Sequence, residues 1–156
     1  MLKINQNYIN LVVRQALYED LKPSGDITTK LIRFKDKKAK ANIITKQSGV
    51  IAGLDFCKAA FKIIGKETIF SKNVNDGAKV KKGKVIATIT AKTKTILMAE
   101  RTALNFLSHA SGIATLTNEF VKKSNKRTKI CCTRKTTPNL RLLEKYAVKK
   151  GGGFNH

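Results

Sequence analysis

Acidic side chains are scarce in this chain, which has 10 Asp and Glu against 32 Lys and Arg in 156 residues. Tryptophan is absent, and the three cysteines form no Cys-x-x-Cys pair and have no histidine beside them. This cysteine pattern argues against a zinc site or a disulfide framework and indicates a reducing compartment, the cytoplasm. No run approaches the ~20 apolar residues of a membrane helix, and the apolar run before Arg14 is too short for a signal peptide.

The formal net charge of +22 has two interpretations. It could mark a surface for nucleic acid or another polyanion, or it could be a lysine-rich composition without functional meaning. Only six of the basic residues are Arg, the residue that grips phosphates in a bidentate way. The lysines are spread over most of the chain and form no stripe with aromatic residues. We therefore expect the second interpretation and regard nucleic acid as an unlikely partner.

Hydrophobic residues make up 42% of the chain, enough for a folded core. Apolar spacing predicts helices over 7–21 and 55–64, with Asp26 capping a short helical turn between them by accepting from Thr28 or Thr29. Strands are predicted over 39–44 and 49–53. Two glycine turns within 74–89 predict β-hairpins.

Lysine is absent from 95–121, a segment whose apolar residues follow a helical period. Arg101 is its one cation apart from histidine. Either Arg101 forms a salt bridge with Glu100 or Glu119 at the edge of a buried helix, or it is held in a mostly dry environment to bind an anion. We expect Gly112 to interrupt this helix and a second helix to run to about Lys123.

The end of the chain combines a predicted strand, a cationic loop and a glycine run. The strand covers 128–132 and leads into TRKTTP (133–138), where two cations and three hydroxyls follow a strand end. This arrangement suits an anion site in an α/β fold, although an ordinary charged loop is an equal alternative. Pro138 is expected to open the next helix in its first turn. The glycines of GGGFNH (151–156) indicate a sharp turn or a close backbone approach.

Five segments in order carry a resemblance to a known family: EDLKPSGDITT (19–29), GVIAG (49–53), VNDGAKVKKGKVIATI (74–89), ERTALNFLSHASGIAT (100–115) and TRKTTPNLRLLEKYAVKKGGGFNH (133–156). They resemble quinolinate phosphoribosyltransferase, also called nicotinate-nucleotide pyrophosphorylase (carboxylating). The resemblance implies an α/β fold, with an α+β sandwich-like N-terminal domain over 1–111. The opening βα unit of an incomplete α/β barrel would follow over 112–156.

The resemblance also implies a reaction and partners. The family joins quinolinate to phosphoribosyl pyrophosphate and forms nicotinate mononucleotide, pyrophosphate and CO2 for NAD synthesis, with Mg²⁺ present. It works as a homodimer or larger assembly whose site lies between one subunit's barrel and its neighbour's N-terminal domain.

Site residues are implied by position in the matching segments. Arg101 matches an arginine that the N-terminal domain lends to the neighbouring subunit to hold a quinolinate carboxylate. Arg134 and Lys135 match a pair that meets substrate carboxylate and phosphate, and His156 matches a histidine at the substrate pocket. The supporting residues are Thr133, Thr136 and Asn155.

Two positions depart from the family pattern: Cys132 replaces a usual acidic residue, and Asn139 replaces a usual glycine, a change that a left-handed backbone tolerates. The acidic residues that handle the metal have no counterpart here, so we expect no metal site in these residues. We expect a truncated enzyme that is inactive alone. Two alternatives remain: an interaction module that donates Arg101 to a full-length copy or a separate barrel half, and a basic nucleic-acid-binding protein.

Overall fold

The structure is a computed structural model that describes residues 3–31, 35–125 and 128–156. The helices in these ranges are α1 (Gln6–Leu21), α2 (Ile27–Leu31), α3 (Leu54–Ile64), α4 (Thr93–Lys123) and α5 (Arg141–Lys150). The strands are β1 (Lys38–Ile44), β2 (Gly49–Val50), β3 (Ile69–Lys72), β4 (Lys79–Val80) and β5 (Val85–Lys92). None of the helices in the described parts is both long and apolar enough to cross a membrane.

Strand β5 is the centre of a three-stranded antiparallel sheet with the order β1-β5-β3. Its residues alternate, so that Ile89 and Ala91 are buried while Thr90 between them is half-buried. The predicted turns are present, because Gly77 and Gly83 both have positive φ. The predicted hairpins within 74–89 are wrong, however, because β4 pairs with β2 and β5 pairs with β1 and β3.

Helices α1, α3 and α4 pack together and enclose the core. The prediction for α1 is confirmed; the helix buries four apolar residues at helical spacing, Ile9, Val12, Val13 and Leu17. Phe56 of α3 meets Phe106 of α4 with ring centroids 5.4 Å apart. The predicted cap before α2 is also confirmed, since Asp26 Oδ1 accepts a hydrogen bond from the Thr29 backbone N–H at 3.0 Å.

Helix α4 runs without a break through Gly112, so the predicted interruption there is wrong. A glycine inside a helix costs about 1 kcal/mol relative to alanine. Buried contacts on both sides offset this cost, because Ala110 and Ala114 are fully buried in the core. The helix therefore connects the core around α3 with the last part of the chain.

The predicted strand at 128–132 is reduced to one isolated parallel bridge, between Cys131 and Phe154. Two hydrogen bonds form it, from Phe154 N to Ile130 O at 2.8 Å and from Cys132 N to Phe154 O at 2.9 Å. The helix between the bridged segments begins at Arg141, so the expectation that Pro138 opens it is wrong. Asn139 lies between Pro138 and Arg141, and its φ of 65° is not a helical backbone conformation, so the helix cannot begin at Pro138.

The glycine run allows the close approach that the sequence predicts. A Cβ at Gly151 would lie 2.3 Å from the backbone oxygen of Ala114, and one at Gly153 would lie 2.8 Å from Thr117 Cγ2. Both neighbours belong to α4. The glycines therefore bring the end of α5 against α4 and position the residues that follow.

Candidate functional site

The cationic loop (residues 133–138) is held in place by its own hydroxyl groups. Thr133 Oγ1 accepts from the Lys135 backbone N–H at 3.1 Å, and Thr136 Oγ1 accepts from Arg141 Nε at 3.1 Å. The side chains of Arg134 and Lys135 are exposed at the surface. The two threonines therefore shape the loop, while the two cations remain accessible to an anion.

Asn155 and His156 lie beside the cationic loop because of the parallel bridge. The Cys132 thiol donates to Asn155 Oδ1 at 3.4 Å, and its Sγ lies 3.7 Å from His156 Nδ1. The carboxyl ends of two parallel segments meet at one edge, which is where α/β folds place their ligands. The structure thus places Asn155 and His156 beside Cys132, the residue directly before the loop that carries Arg134 and Lys135.

The sequence supplies few carboxylates to the segments that form this edge. From residue 120 to residue 156, Glu144 is the one acidic side chain. Its Oε1 lies 2.9 Å from His109 Nε2, and its Oε2 accepts from the Thr137 backbone N–H at 3.3 Å. Glu144 is thus bound to His109 of α4 and to the backbone of the cationic loop. The side chains of Arg134 and Lys135 remain available to an external anion.

Arg101 is not part of this group. Its Nη1 forms a salt bridge with Asp20 Oδ1 at 2.8 Å, so the predicted partners Glu100 and Glu119 are wrong. The side chain is 69% exposed, so the expected dry environment is also wrong for the single chain. The hydrogen bond that Arg101 donates to Asp20 and the negative charge of Asp20 raise the pKa of the guanidinium.

Arg101 borders a cavity of about 320 Å³ between α4 and residues 20–29. Asp20, Asp26 and Glu100 also line it. Two of the segments that carry the family resemblance, 19–29 and 100–115, therefore meet at this arginine. Helical spacing could not reveal this contact, because Asp20 lies 81 residues before Arg101.

A second cavity, of about 510 Å³, lies between α1, α4 and Leu140, and no sequence motif predicts it. His109 and Asn105 of α4 line it together with Asp20. Asp20 thus borders both cavities. His109 was missed because an isolated histidine on a helix carries no motif, and its partner Glu144 lies on a different helix.

Several residues of the segments that carry the family resemblance hold the fold together. Ser111 Oγ accepts from the Ala52 backbone N–H at 3.1 Å, and Thr115 Oγ1 accepts from that of Val50 at 2.9 Å. The two hydroxyls of α4 thus hold the GVIAG backbone. A Cβ at Gly53, which has φ 98°, would lie 3.1 Å from Ala110 Cβ.

Asp76 joins the N-terminal part of the chain to α5. Its Oδ2 accepts from the Gly53 N–H at 3.0 Å and from the Tyr146 hydroxyl at 2.8 Å, and its Oδ1 accepts from the Leu54 N–H at 3.2 Å. The carboxylate therefore lies at the positive end of the α3 dipole. Burial and the nearby Asp76 charge raise the pKa of Tyr146 above its ordinary value.

Side chains that bind metals do not cluster in the part of the chain that the structure describes. Within 3–31, 35–125 and 128–156, no three His, Cys, Asp or Glu side chains come close enough together to hold a metal ion. Two carboxylates of the Arg101 cavity already accept hydrogen bonds, Asp20 from Arg101 and Asp26 from Thr29.

Two family models match the chain in succession. The quinolinate phosphoribosyl transferase N-terminal domain matches residues 26–111, and the C-terminal domain of the same enzyme matches residues 113–156. Together the matches cover 130 of the 156 residues.

Curated proteins and solved structures resemble the chain throughout its length. A probable nicotinate-nucleotide pyrophosphorylase [carboxylating] of Bacillus subtilis is 38% identical over 98% of this chain and 53% of the relative. A protein of the same name from Methanocaldococcus jannaschii is 42% identical, over 97% of this chain and 53% of the relative. The crystal structure of NadC from Streptococcus pyogenes matches with a TM-score of 0.93 at 39% identity, over 98% of this chain and 55% of the other. The predicted α/β fold is thereby confirmed, and the chain spans about half the length of these relatives.

Proposed function

The chain belongs to the quinolinate phosphoribosyltransferase family, and we propose that it serves that family's reaction in NAD synthesis. In this reaction quinolinate and phosphoribosyl pyrophosphate give nicotinate mononucleotide, pyrophosphate and CO2. The observation that carries the proposal is the parallel bridge between Cys131 and Phe154, which places His156 beside Cys132, the residue directly before the loop that carries Arg134 and Lys135. We propose a cytoplasmic location on the ground of the cysteine pattern, which indicates a reducing compartment.

The chemistry of the substrate fits these side chains. Quinolinate is a dicarboxylate, and its pocket needs fixed cations. The planar guanidinium of Arg134 suits a carboxylate, whereas Lys135 offers a compact charge for a carboxylate or phosphate. Loss of CO2 after ribosyl transfer leaves negative charge on the ring, and fixed cations stabilise such charge. Thr133 and Thr136 support the site by shaping the cationic loop, and Asn155 by its contact beside His156.

Mg²⁺, when bound in this family, neutralises the pyrophosphate group. The described residues offer no set of ligands that fits the ion, so no step is assigned to it here. We therefore propose that residues 1–156 assayed by themselves bind quinolinate but do not turn it over.

The experiment uses quinolinate labelled in the carboxyl group that is lost. We expect the purified chain to bind the ligand in equilibrium dialysis and to release no labelled CO2 with phosphoribosyl pyrophosphate and Mg²⁺. Arg134→Gln should weaken binding at least about tenfold, the cost of a lost charge-assisted pair. Arg14→Gln is the matched control, because Arg14 is an exposed arginine of α1 outside the proposed site. Equal binding by both variants would remove the support for this site.

The exposure of Arg101 favours a second candidate role, in which this chain donates Arg101 to another subunit. This role needs a homodimer, a larger assembly or a partner that carries a barrel. A full-length relative in which the arginine aligned with Arg101 is replaced by Gln would be mixed with this chain. We expect the mixture to regain activity with the native chain and not with Arg101→Gln. Equal recovery with both chains would argue against donation.

A further inference from the structure

The thiol of Cys132 lies beside the imidazole of His156, and this contact bears on the chemistry of the thiol. Cys132 is where the sequence departs from the family pattern, and the family reaction uses no thiol. We propose that Cys132 is a reactive cysteine, activated by His156, and a site of reversible modification by low-molecular-weight disulfides. Its reactivity is independent of the proposed function, but its effect on substrate binding depends on that function.

The geometry supplies a base for the thiol. Cys132 Sγ lies 3.7 Å from His156 Nδ1 and 3.4 Å from Asn155 Oδ1. The S–H group that donates to Asn155 Oδ1 can rotate towards His156 Nδ1, and an imidazole within reach can take the thiol proton as the sulfur attacks. The Asn155 side chain holds the sulfur on the same side as the imidazole. Cys132 is half-buried, so the sulfur remains within reach of small reagents.

The sequence around the thiol is basic. Arg134 and Lys135 follow Cys132 by two and three residues. Glu144, the one acidic side chain between residues 120 and 156, is bound to His109 and to the Thr137 backbone. Such a basic stretch attracts anionic disulfides.

The reaction is an exchange in which atoms and electrons balance. The Cys132 thiolate attacks one sulfur of a disulfide, a new S–S bond forms and the old S–S bond breaks. The second half of the reagent leaves as a thiolate, and an added thiol reverses the exchange. The attached group would occupy the space beside Asn155 and His156, where the proposed function places quinolinate.

Cys131 is a control within the chain. It is more exposed than Cys132, and successive side chains of an extended segment point to opposite sides. Cys131 has no hydrogen-bonding or charged partner among the described residues. If exposure alone governed reactivity, Cys131 would react faster. Cys57, which is fully buried, reports on unfolding.

The test compares alkylation by iodoacetamide at pH 7 in Cys131→Ser and Cys132→Ser chains, followed by intact mass. We expect the chain that keeps Cys132 to react on the order of tenfold faster than the chain that keeps Cys131. Adding His156→Asn to Cys131→Ser should reduce its rate to that of Cys132→Ser. The His156 side chain is exposed, so this change should not disturb folding. If the chain did unfold, the buried Cys57 would also become alkylated.

Two results would overturn the inference: equal or faster reaction of Cys131, or an unchanged rate of Cys132 after His156→Asn. These rates involve no substrate, so they stand apart from the proposed function. A second measurement compares quinolinate binding before and after treatment with oxidised glutathione. If the unmodified chain does not bind quinolinate, the proposed function fails while the reactivity of Cys132 remains established by its rate.

Discussion

Asn139 shows how a single backbone position accounts for a departure from the family pattern. Its φ of 65° lies in the left-handed region, which glycine enters freely and asparagine enters more readily than most residues. Its carbonyl accepts a hydrogen bond from the Tyr8 hydroxyl at 2.9 Å, which fixes the turn against α1. The replacement of glycine by asparagine is therefore compatible with the observed conformation.

We expect Asn139→Ala to lower the free energy of unfolding by about 1 kcal/mol, the cost of the left-handed conformation for a residue with an ordinary side chain. Asn139→Gly is the matched control and should leave stability nearly unchanged. Urea unfolding followed by circular dichroism measures both variants. If alanine were as stable as glycine at this position, the backbone explanation would be wrong.

Arg101 shows the limit of sequence reasoning at the residue scale. The lysine-free segment identified it as an unusual cation, and the resemblance gave it a role. Its ion-pair partner was predicted wrongly, because helical spacing shows neighbours on the same helix and not the approach of α1. Asp20 became visible only when the packing of α1 against α4 was known.

The contact between α5 and α4 is the clearest structural role of the glycine run, at the scale of elements. We expect Gly151→Ala to lower the free energy of unfolding by about 1–3 kcal/mol, because its Cβ would overlap the Ala114 carbonyl oxygen. Gly112→Ala, within α4, is the control. It has open space around it and should raise stability by about 0.5–1 kcal/mol.

Thermal and urea unfolding of the two glycine variants, measured side by side, check this prediction. Opposite signs are expected although both substitutions add one methyl group. A stabilising effect of Gly151→Ala would mean that α5 does not press against α4 in solution.

Helix α3 contains a buried thiol that should make stability sensitive to alkaline pH. Burial raises the pKa of Cys57 from 9.0 to about 12. The folded state therefore holds the thiol proton more tightly than the unfolded state. This contribution to stability is complete below pH 9 and is lost as the pH rises towards 12.

We expect the free energy of unfolding to fall between pH 9 and 12 by at most about 1.4 kcal/mol per pH unit through this one proton. Urea titrations of the native chain and of Cys57→Ala across this range provide the measurement. The native chain should lose stability more steeply than the variant, since the other titrating groups are common to both. Parallel curves would contradict the raised pKa.

Elements with a strong local period were the most predictable part of the fold. Helix α1 has its apolar stripe and α3 its glycine stop, so their bounds fell within a residue or two of the prediction. The pairing of β4 with β2 could not be predicted, because a two-residue strand carries no local signal and its partner lies about 30 residues away. For the site, the cationic loop was readable from TRKTTP, whereas its proximity to His156 depends on a single parallel bridge.

At the scale of the whole molecule, the positive charge is unevenly distributed. Residues 37–54 and 77–99 contain ten lysines and no Asp or Glu. These two segments include β1 and β5, which pair with each other and place Lys38 opposite Lys92. Like charges at such a position repel each other. The surface of this strand pair therefore carries lysines and no carboxylates from its own residues, while Asp36 at its edge accepts from the Lys94 backbone N–H at 3.1 Å.

We expect any binding of duplex DNA by this surface to be weak, independent of base sequence and largely lost between 50 and 200 mM salt, as for contacts with phosphates alone. Fluorescence anisotropy with two unrelated duplexes measures it. A chain in which Lys81, Lys82 and Lys84 are changed to Gln should bind more weakly than one with Lys58, Lys62 and Lys66 changed. Tight, sequence-selective binding at 200 mM salt would favour a nucleic-acid function instead.

The uninterrupted course of α4 has a mechanical consequence. At 1.5 Å per residue, its 31 residues form a rod about 46 Å long, and both family matches lie along it. Arg101 lies in its first third, and the glycine contact at Ala114 and Thr117 lies near its far end. A protease would find no flexible linker to cut where the two matches meet. Because α4 is continuous, a tilt of the helix that moves Arg101 would also move Ala114 and Thr117 and, with them, the glycine run that they contact.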